Sequence, residues 1–255
     1  MKKYQWNSKQ CTIIFDMEKE KVIINGCAHL LCPVTNERIL SMCAEKKVFV
    51  PQNHYIDKHV MYYCARKIMQ GKLKNQGNIY IDILIYNNAL NTIGNDIYNR
   101  SIGHLNDVNE IEIHQVLAGK VLELIEYQGE RYIGIFREGD YFEIPAGAFH
   151  CTYILEDITI VANIFGNVFW ESNYSKKPYY VYKNSVSFSS RENKYLYQTE
   201  EGDSILFDDS LEEISKTKCK KYSEIIANGF SISRKYNIDE VKSIFELFNY
   251  MIKHT

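Results

Sequence analysis

The chain has 255 residues, with 30 Lys and Arg against 32 Asp and Glu and a formal charge of −2. Its 45% apolar and 24% charged residues, with only 4 Pro and 13 Gly, are the balance of a folded globular protein long enough for one large domain with appendages. The lack of a basic excess excludes general polyanion binding, so no nucleic-acid partner is expected.

The opening Met-Lys-Lys-Tyr-Gln-Trp-Asn lacks the apolar stretch of a signal peptide, and no apolar run approaches the roughly 18–20 residues that a membrane span needs. A cytoplasmic protein with no membrane partner is expected. Seven cysteines, Cys11, Cys27, Cys32, Cys43, Cys64, Cys151 and Cys219, are odd in number and contain no Cys-x-x-Cys pair. That is neither a disulfide framework nor a zinc ribbon, and free thiols in a reducing compartment are expected.

In chain order, residues 1–50 form a β-rich extension, with strands over Cys11–Phe15 and Lys21–Ile24 and a turn at Asn25-Gly26. Pro51 opens a stretch with Ile56, Val60, Tyr63, Cys64 and Ile68 at helical spacing, which predicts a helix ending before Gly71. From Ile79 to about Val181 the texture is of short strands divided by turns: Tyr80–Tyr86, Glu110–Glu126, Gly134–Arg137, Tyr141–Ile144 and Thr152–Phe165. Strands at such intervals without intervening helices predict an antiparallel sandwich or barrel over residues 51–185.

Residues 186–255 form a further extension, mainly helical after loops and short strands up to Asp209. Leu211–Ala227 has helical spacing, and Asp239 is the expected N-cap of a last helix carrying Val241, Ile244, Phe245, Phe248, Met251 and Ile252 on one face. These faces would cover the barrel or meet a second copy in a homodimer.

Two stretches carry the chemistry. Gly139-Asp-Tyr-Phe-Glu-Ile-Pro145-Ala-Gly147-Ala-Phe-His150 sets a turn, a strand, a second turn and then a histidine at the start of a strand, where alternation can aim it into a barrel. Upstream, Glu112-Ile-His114-Gln-Val-Leu-Ala-Gly119 puts a carboxylate and an imidazole two residues apart on one strand face. Burying them together is costly without a cation or hydrogen-bond partners, and a divalent metal favours both donors. The plainer readings are a hydrogen-bonded core histidine at His150 and solvated side chains on an edge strand at Glu112 and His114. His54 and His59 stand five apart, a spacing that does not set two ligands on one helix face, and His29 and His254 stand alone.

The His150 stretch fits Gly-x5-Pro-x-Gly-x2-His and so resembles the second sequence motif of the cupin superfamily, with Ile154 where an Asn is usual. The Glu112 stretch is similar to the first motif. With Tyr80-Ile-Asp-Ile-Leu and Arg100-Ser101-Ile-Gly103-His104-Leu-Asn106 added, residues 50–182 resemble the cupin-type phosphoglucose isomerases. The resemblance implies a jelly-roll barrel and one divalent ion (iron, manganese, zinc or nickel). It also implies a sugar-phosphate substrate interconverted between aldose and ketose, with Glu112 moving the proton, for which it would need a raised pKa.

The family's ligands fall on His104, Asn106, Glu112 and His150. Asn106 replaces a histidine, His114 stands where it could restore that imidazole, and Glu110 is a rival for the acidic role. Arg100 and Ser101 take the place of a phosphate-holding Lys-Thr. Leu84 replaces a Thr, and the family's turn glutamate falls on Asp96 or Ile97. Such drift fits a changed substrate or a lost activity. Two other classes therefore stand beside the isomerase: an iron-dependent cupin oxygenase, and a non-catalytic cupin that binds a carbohydrate or small metabolite.

Overall fold

The computed structural model describes residues 3–7, 12–16, 19, 21–35, 60–73, 77–89, 98–101, 103–106, 110–167, 186–199, 201–227 and 243–254. The strands are β1 (Lys3–Asn7), β2 (Thr12–Asp16), β3 (Lys21–Ile24), β4 (Cys27–Leu30), β5 (Cys32–Thr35), β6 (Val60–Lys72), β7 (Asn78–Tyr86), β8 (His104–Leu105) and β9 (Glu110–Ala118). They continue as β10 (Lys120–Tyr127), β11 (Glu130–Arg137), β12 (Tyr141–Ile144), β13 (Phe149–Ile154), β14 (Thr159–Asn167), β15 (Val186–Arg191), β16 (Lys194–Thr199) and β17 (Ser204–Phe207). A 3-10 helix (Glu212–Thr217), β18 (Lys220–Lys221), α1 (Ser223–Ala227) and α2 (Ile244–His254) follow.

Strands β7 to β14 make the barrel. One sheet runs β12-β9-β14-β7 and is prolonged by β6 and β5; the other runs β11-β10-β13-β8, with β18 added in parallel at its edge. Sequence neighbours β8 and β9, β11 and β12, or β13 and β14 thus lie in opposite sheets. That interleaving is the double Greek key of a jelly roll, the barrel of the cupin fold.

Two cores follow from the alternation of side chains. On β7, Ile79, Ile81, Ile83 and Ile85 face outward, where Ile113, Ile160, Ala162 and Ile164 join them. This outer face of the larger sheet is covered by Ile13, Phe15, Val22 and Ile24 of β2 and β3 and by Ile244, Phe245, Leu247, Phe248 and Met251 of α2. The second core fills the barrel and continues through the smaller sheet to Phe188, Tyr197 and Phe207 of the β15-β16-β17 sheet, where Tyr153 meets Phe188 edge-on at 4.7 Å.

The turn at Asn25-Gly26 closes the β3–β4 hairpin with both residues at positive φ, 49° and 83°. The helix predicted from Pro51 to before Gly71 is not what residues 60–72 form. They make β6, paired to β5 and β7, while residues 51–59 lie outside the described residues. The helical spacing of Val60, Tyr63, Cys64 and Ile68 does not mark one face: Cys64 joins the inner core and Tyr63 and Ile68 pack on the outer one, and β6 shifts register between Ala65 and Met69, with Lys67 at φ 50°. Val60, Tyr62 and Tyr63 suit a strand, and pairing on two edges outweighs local spacing.

The Leu211–Ala227 segment is broken rather than one helix. Lys218 at φ 62° ends the 3-10 turn, β18 pairs with β11, and α1 follows. α2 begins behind Ser243, whose hydroxyl accepts the Glu246 N–H at 3.3 Å, while Asp239 and Val241 lie outside the described residues. No helix among the described residues is long and apolar enough to cross a membrane.

Candidate metal centre

Three short-range rules bring the cluster together. Gly139 (φ 94°) turns the chain out of β11, and its N–H donates to the carbonyl of Val116 at 2.8 Å. The Ala148 N–H then donates to the Pro145 carbonyl at 3.0 Å around Gly147 (φ 74°), a turn whose third residue needs positive φ. β13 starts two residues later with His150 facing inward, paired directly with His104 of β8. From the opposite sheet, Glu112 and His114 project from one face of β9, with Asn163 of β14 beside them.

One donor atom each of His104, Glu112 and His150 lies within 4.8 Å of the others. Glu112 Oε2 is 3.1 Å from His150 Nε2 and 3.6 Å from His104 Nε2. Its Oε1 accepts from His114 Nε2 at 2.8 Å and from the Asn163 amide at 3.2 Å. His150 Nε2 is also 3.4 Å from His104 Nε2, and its Nδ1 is 2.9 Å from Glu123 Oε1. Phe142 packs on the His114 ring at 4.7 Å. Glu112, His114, Glu123 and His150 are all buried.

Burial alone would raise the Glu112 carboxyl, but the His150 charge, hydrogen bonds from His114 and His150, and the His104 ring hold it well below the usual carboxylate range. Burial would likewise lower His150, yet Glu112 and the bond to Glu123 push it up to about 10. A carboxylate held this firmly in its charged form is suited to being a ligand. Its direction is opposite to the raised value expected of Glu112 as a proton carrier.

The donor set fits a divalent cation: two imidazoles and a carboxylate, buried together on rigid strands. Asn106 supports that fit. It is 1% exposed, its backbone N–H donates to Ala148 O at 2.9 Å, and neither side-chain amide atom has a hydrogen-bond partner. His114 is not one of the three mutually close residues; it braces Glu112 through Nε2, while its buried Nδ1 has no partner.

The structure does not bring Arg100 and Ser101 to this cluster. Arg100 bridges to Tyr153, three residues from His150 and so on the other face of β13, with Nη1 3.3 Å from the Tyr153 hydroxyl. Ser101 is tied to Thr152 through its amide and its hydroxyl, which accepts the Thr152 N–H at 3.0 Å. Leu84 packs with the inner core, and Asp96, Ile97, His54, His59 and the side chains of Glu110 and His254 lie outside the described residues. Asp82, from the Tyr-Ile-Asp strand, accepts the Lys67 N–H and Arg66 Nη1, both at 2.6 Å, and so fixes the irregular part of β6.

Sequence reasoning missed Glu123 and Asn163. Each is a lone polar residue inside an apolar run, Val121-Leu-Glu-Leu-Ile125 and Ile160-Val-Ala-Asn-Ile-Phe165, and that isolation was the available signal.

No protein-family model matches the chain, and no curated protein matches it in sequence. Among solved structures it is similar to an oxalate oxidase in complex with glycolate, at 17% identity and a TM-score of 0.30, over 35% of this chain and 42% of that one. It is also similar to the cupin domain of Schizosaccharomyces pombe Cnp3, at 7% identity and 0.32, over 43% and 66% of the two chains. A mutant of Bacillus subtilis oxalate decarboxylase OxdC aligns at 15% identity and 0.30, over 48% and 33%. The match thus spans less than half of the oxalate oxidase chain, and the jelly-roll assignment rests on the strand order.

Proposed function

We propose that the protein is a metal-dependent cupin enzyme that isomerises or epimerises a small carbohydrate by moving a proton next to its carbonyl. The observation that carries this reading is the convergence of His104, Glu112 and His150 inside the barrel, with Asn106 buried and unpartnered beside the same turn. These four residues would hold the cation. A divalent ion bound there supplies Lewis acidity, drawing charge from the oxygens of the substrate.

Glu112 is then a ligand, and the proton falls to His114. Its Nε2–H is taken up by Glu112 Oε1, so Nδ1 carries the lone pair and is the atom at which a substrate proton would be held. Because Arg100 reaches to Tyr153 on the other face of β13 and the Ser101 hydroxyl is engaged by the Thr152 N–H, the reading does not require a phosphate on the substrate.

The test is exchange of substrate C–H protons with deuterated solvent across free sugars and their phosphates, with metal added to the purified protein. The expected result is metal-dependent exchange, reduced at least about 100-fold in His114→Ala even when that variant is saturated with metal, its metal affinity falling about 10–100-fold because the brace on Glu112 is lost. Absence of exchange across the panel overturns the isomerase reading, and a metal-saturated His114→Ala protein that exchanges as fast as wild type removes His114 as the proton carrier.

A second reading has its own observation. Two histidines and one carboxylate are also the donor set of oxygen-using iron enzymes, and substrate turnover only in the presence of oxygen would favour it.

A further inference from the structure

We propose that Glu123 is a positioning residue: it holds the Nδ1–H of His150 and thereby turns Nε2 toward Glu112 and His104. Glu123 is fully buried in the middle of β10, in a run where Leu122, Leu124 and Ile125 are buried too. A carboxylate is retained there only with a compensating partner. Its Oε1 meets His150 Nδ1 at 2.9 Å, and its Oε2 has no hydrogen-bond partner.

The placement is set by register. Glu123 lies opposite Thr152, and His150 lies opposite Ile125, so Glu123 and His150 are diagonal neighbours on the inner face of the smaller sheet. A carboxylate can only accept, so Nδ1 must carry the proton. The ring is thereby fixed with Nε2 3.1 Å from Glu112 Oε2 and 3.4 Å from His104 Nε2. Without Glu123 the ring could rotate or present the other nitrogen. A hydrogen bond to the outer nitrogen of a ligating imidazole both orients the ring and strengthens it as a donor.

The proposal rests on the cluster being a cation site, and the experiment separates the two. Full-length protein labelled with ¹⁵N-histidine is examined by NMR without metal and with one equivalent of zinc, and zinc affinity is measured by chelator competition. A slowly exchanging Nδ1 proton on His150 is expected in both states of the wild type. Zinc affinity should fall about 10–100-fold in Glu123→Leu, and by less in Glu123→Gln, whose amide oxygen still accepts the Nδ1–H. Near-UV circular dichroism establishes that both variants fold, and the Gln variant carries the test if the Leu variant does not.

Retention of wild-type zinc affinity by Glu123→Leu overturns the proposal, as does an Nδ1 without a proton in the wild type. If the wild type takes up no zinc, the cation-site reading fails on its own. The metal-free spectra then decide the matter: loss of the Nδ1 proton signal in Glu123→Leu but not in Glu123→Gln sustains the orientation, and its persistence in both overturns it.

Discussion

Asn106 is 1% exposed and neither atom of its amide meets a partner, which is an expensive way to fill a core. The cost is understandable if the amide oxygen serves a cation in company with His104, Glu112 and His150. Replacing it with Leu, of similar size, is expected to raise the unfolding free energy of the metal-free protein by about 1 kcal/mol and to weaken metal binding. Denaturant unfolding and chelator competition measure the two effects, and unchanged affinity would remove Asn106 from the site. His150 was legible in the sequence because turn residues at fixed spacing announce where its strand begins, Glu112 because alternation sets its face, and His104 only through the resemblance to a family. Glu123 and Asn163 were not, because a single polar residue in an apolar strand has no meaning until its neighbour across the ladder is known. Arg100 shows the converse: matched by position to a substrate-binding role, it lies along Tyr153, because facing is decided by register with β13.

Among the elements, the β15-β16-β17 sheet and the turn after it are fastened to the barrel partly by one carboxylate. Asp209 accepts from the Tyr195 hydroxyl at 2.7 Å, pairs with Arg137 at the end of β11, and lies 3.5 Å from Lys120 Nζ of β10. Partial burial would raise its pKa, but Tyr195, Arg137 and Lys120 hold it below the ordinary aspartate value of 3.8. A depressed carboxylate adds stability that is complete above the unfolded-state pKa and is lost as pH falls through the lower folded-state one. Asp209→Asn is therefore expected to cost about 0.5–1 kcal/mol near neutral pH, as partly exposed networks do. The gap between variant and wild type should close below about pH 4, as followed by urea unfolding at several pH values; a gap that persists in acid would remove the ion pairs as its cause. At this scale hairpins with their turn residues were readable, Asn25-Gly26 among them. The helix expected from Pro51 to before Gly71 was not, since β6 supplies apolar residues to both faces of its sheet and so imitates helical spacing.

For the whole molecule, the barrel is a layer between two covers: β2, β3 and α2 on the larger sheet, and β15 to β17 on the smaller. The candidate ligands come from β8, β9 and β13, two in one sheet and one in the other, so a bound cation would tie the two sheets together and bind only the folded state. Zinc, nickel or manganese at about 100 times its dissociation constant is expected to stabilise the wild type by about 2.7 kcal/mol, visible as a rise in Tm, and His150→Ala should abolish the rise. No shift with any of these metals would count against the site. By itself the sequence determined the class of fold, most of the barrel's strands (with β9 run into β10, β13 into β14, and β8 missed) and two candidate donors, Glu112 and His150, because alternation and turn chemistry are local. Only the tertiary structure decided that Arg100 turns away from His150, that Glu112 is held as an anion by three imidazoles, and that Glu123 stands behind His150. Each of those depends on which strand lies beside or across from which, and in a jelly roll the partners of a strand are rarely its neighbours in the chain.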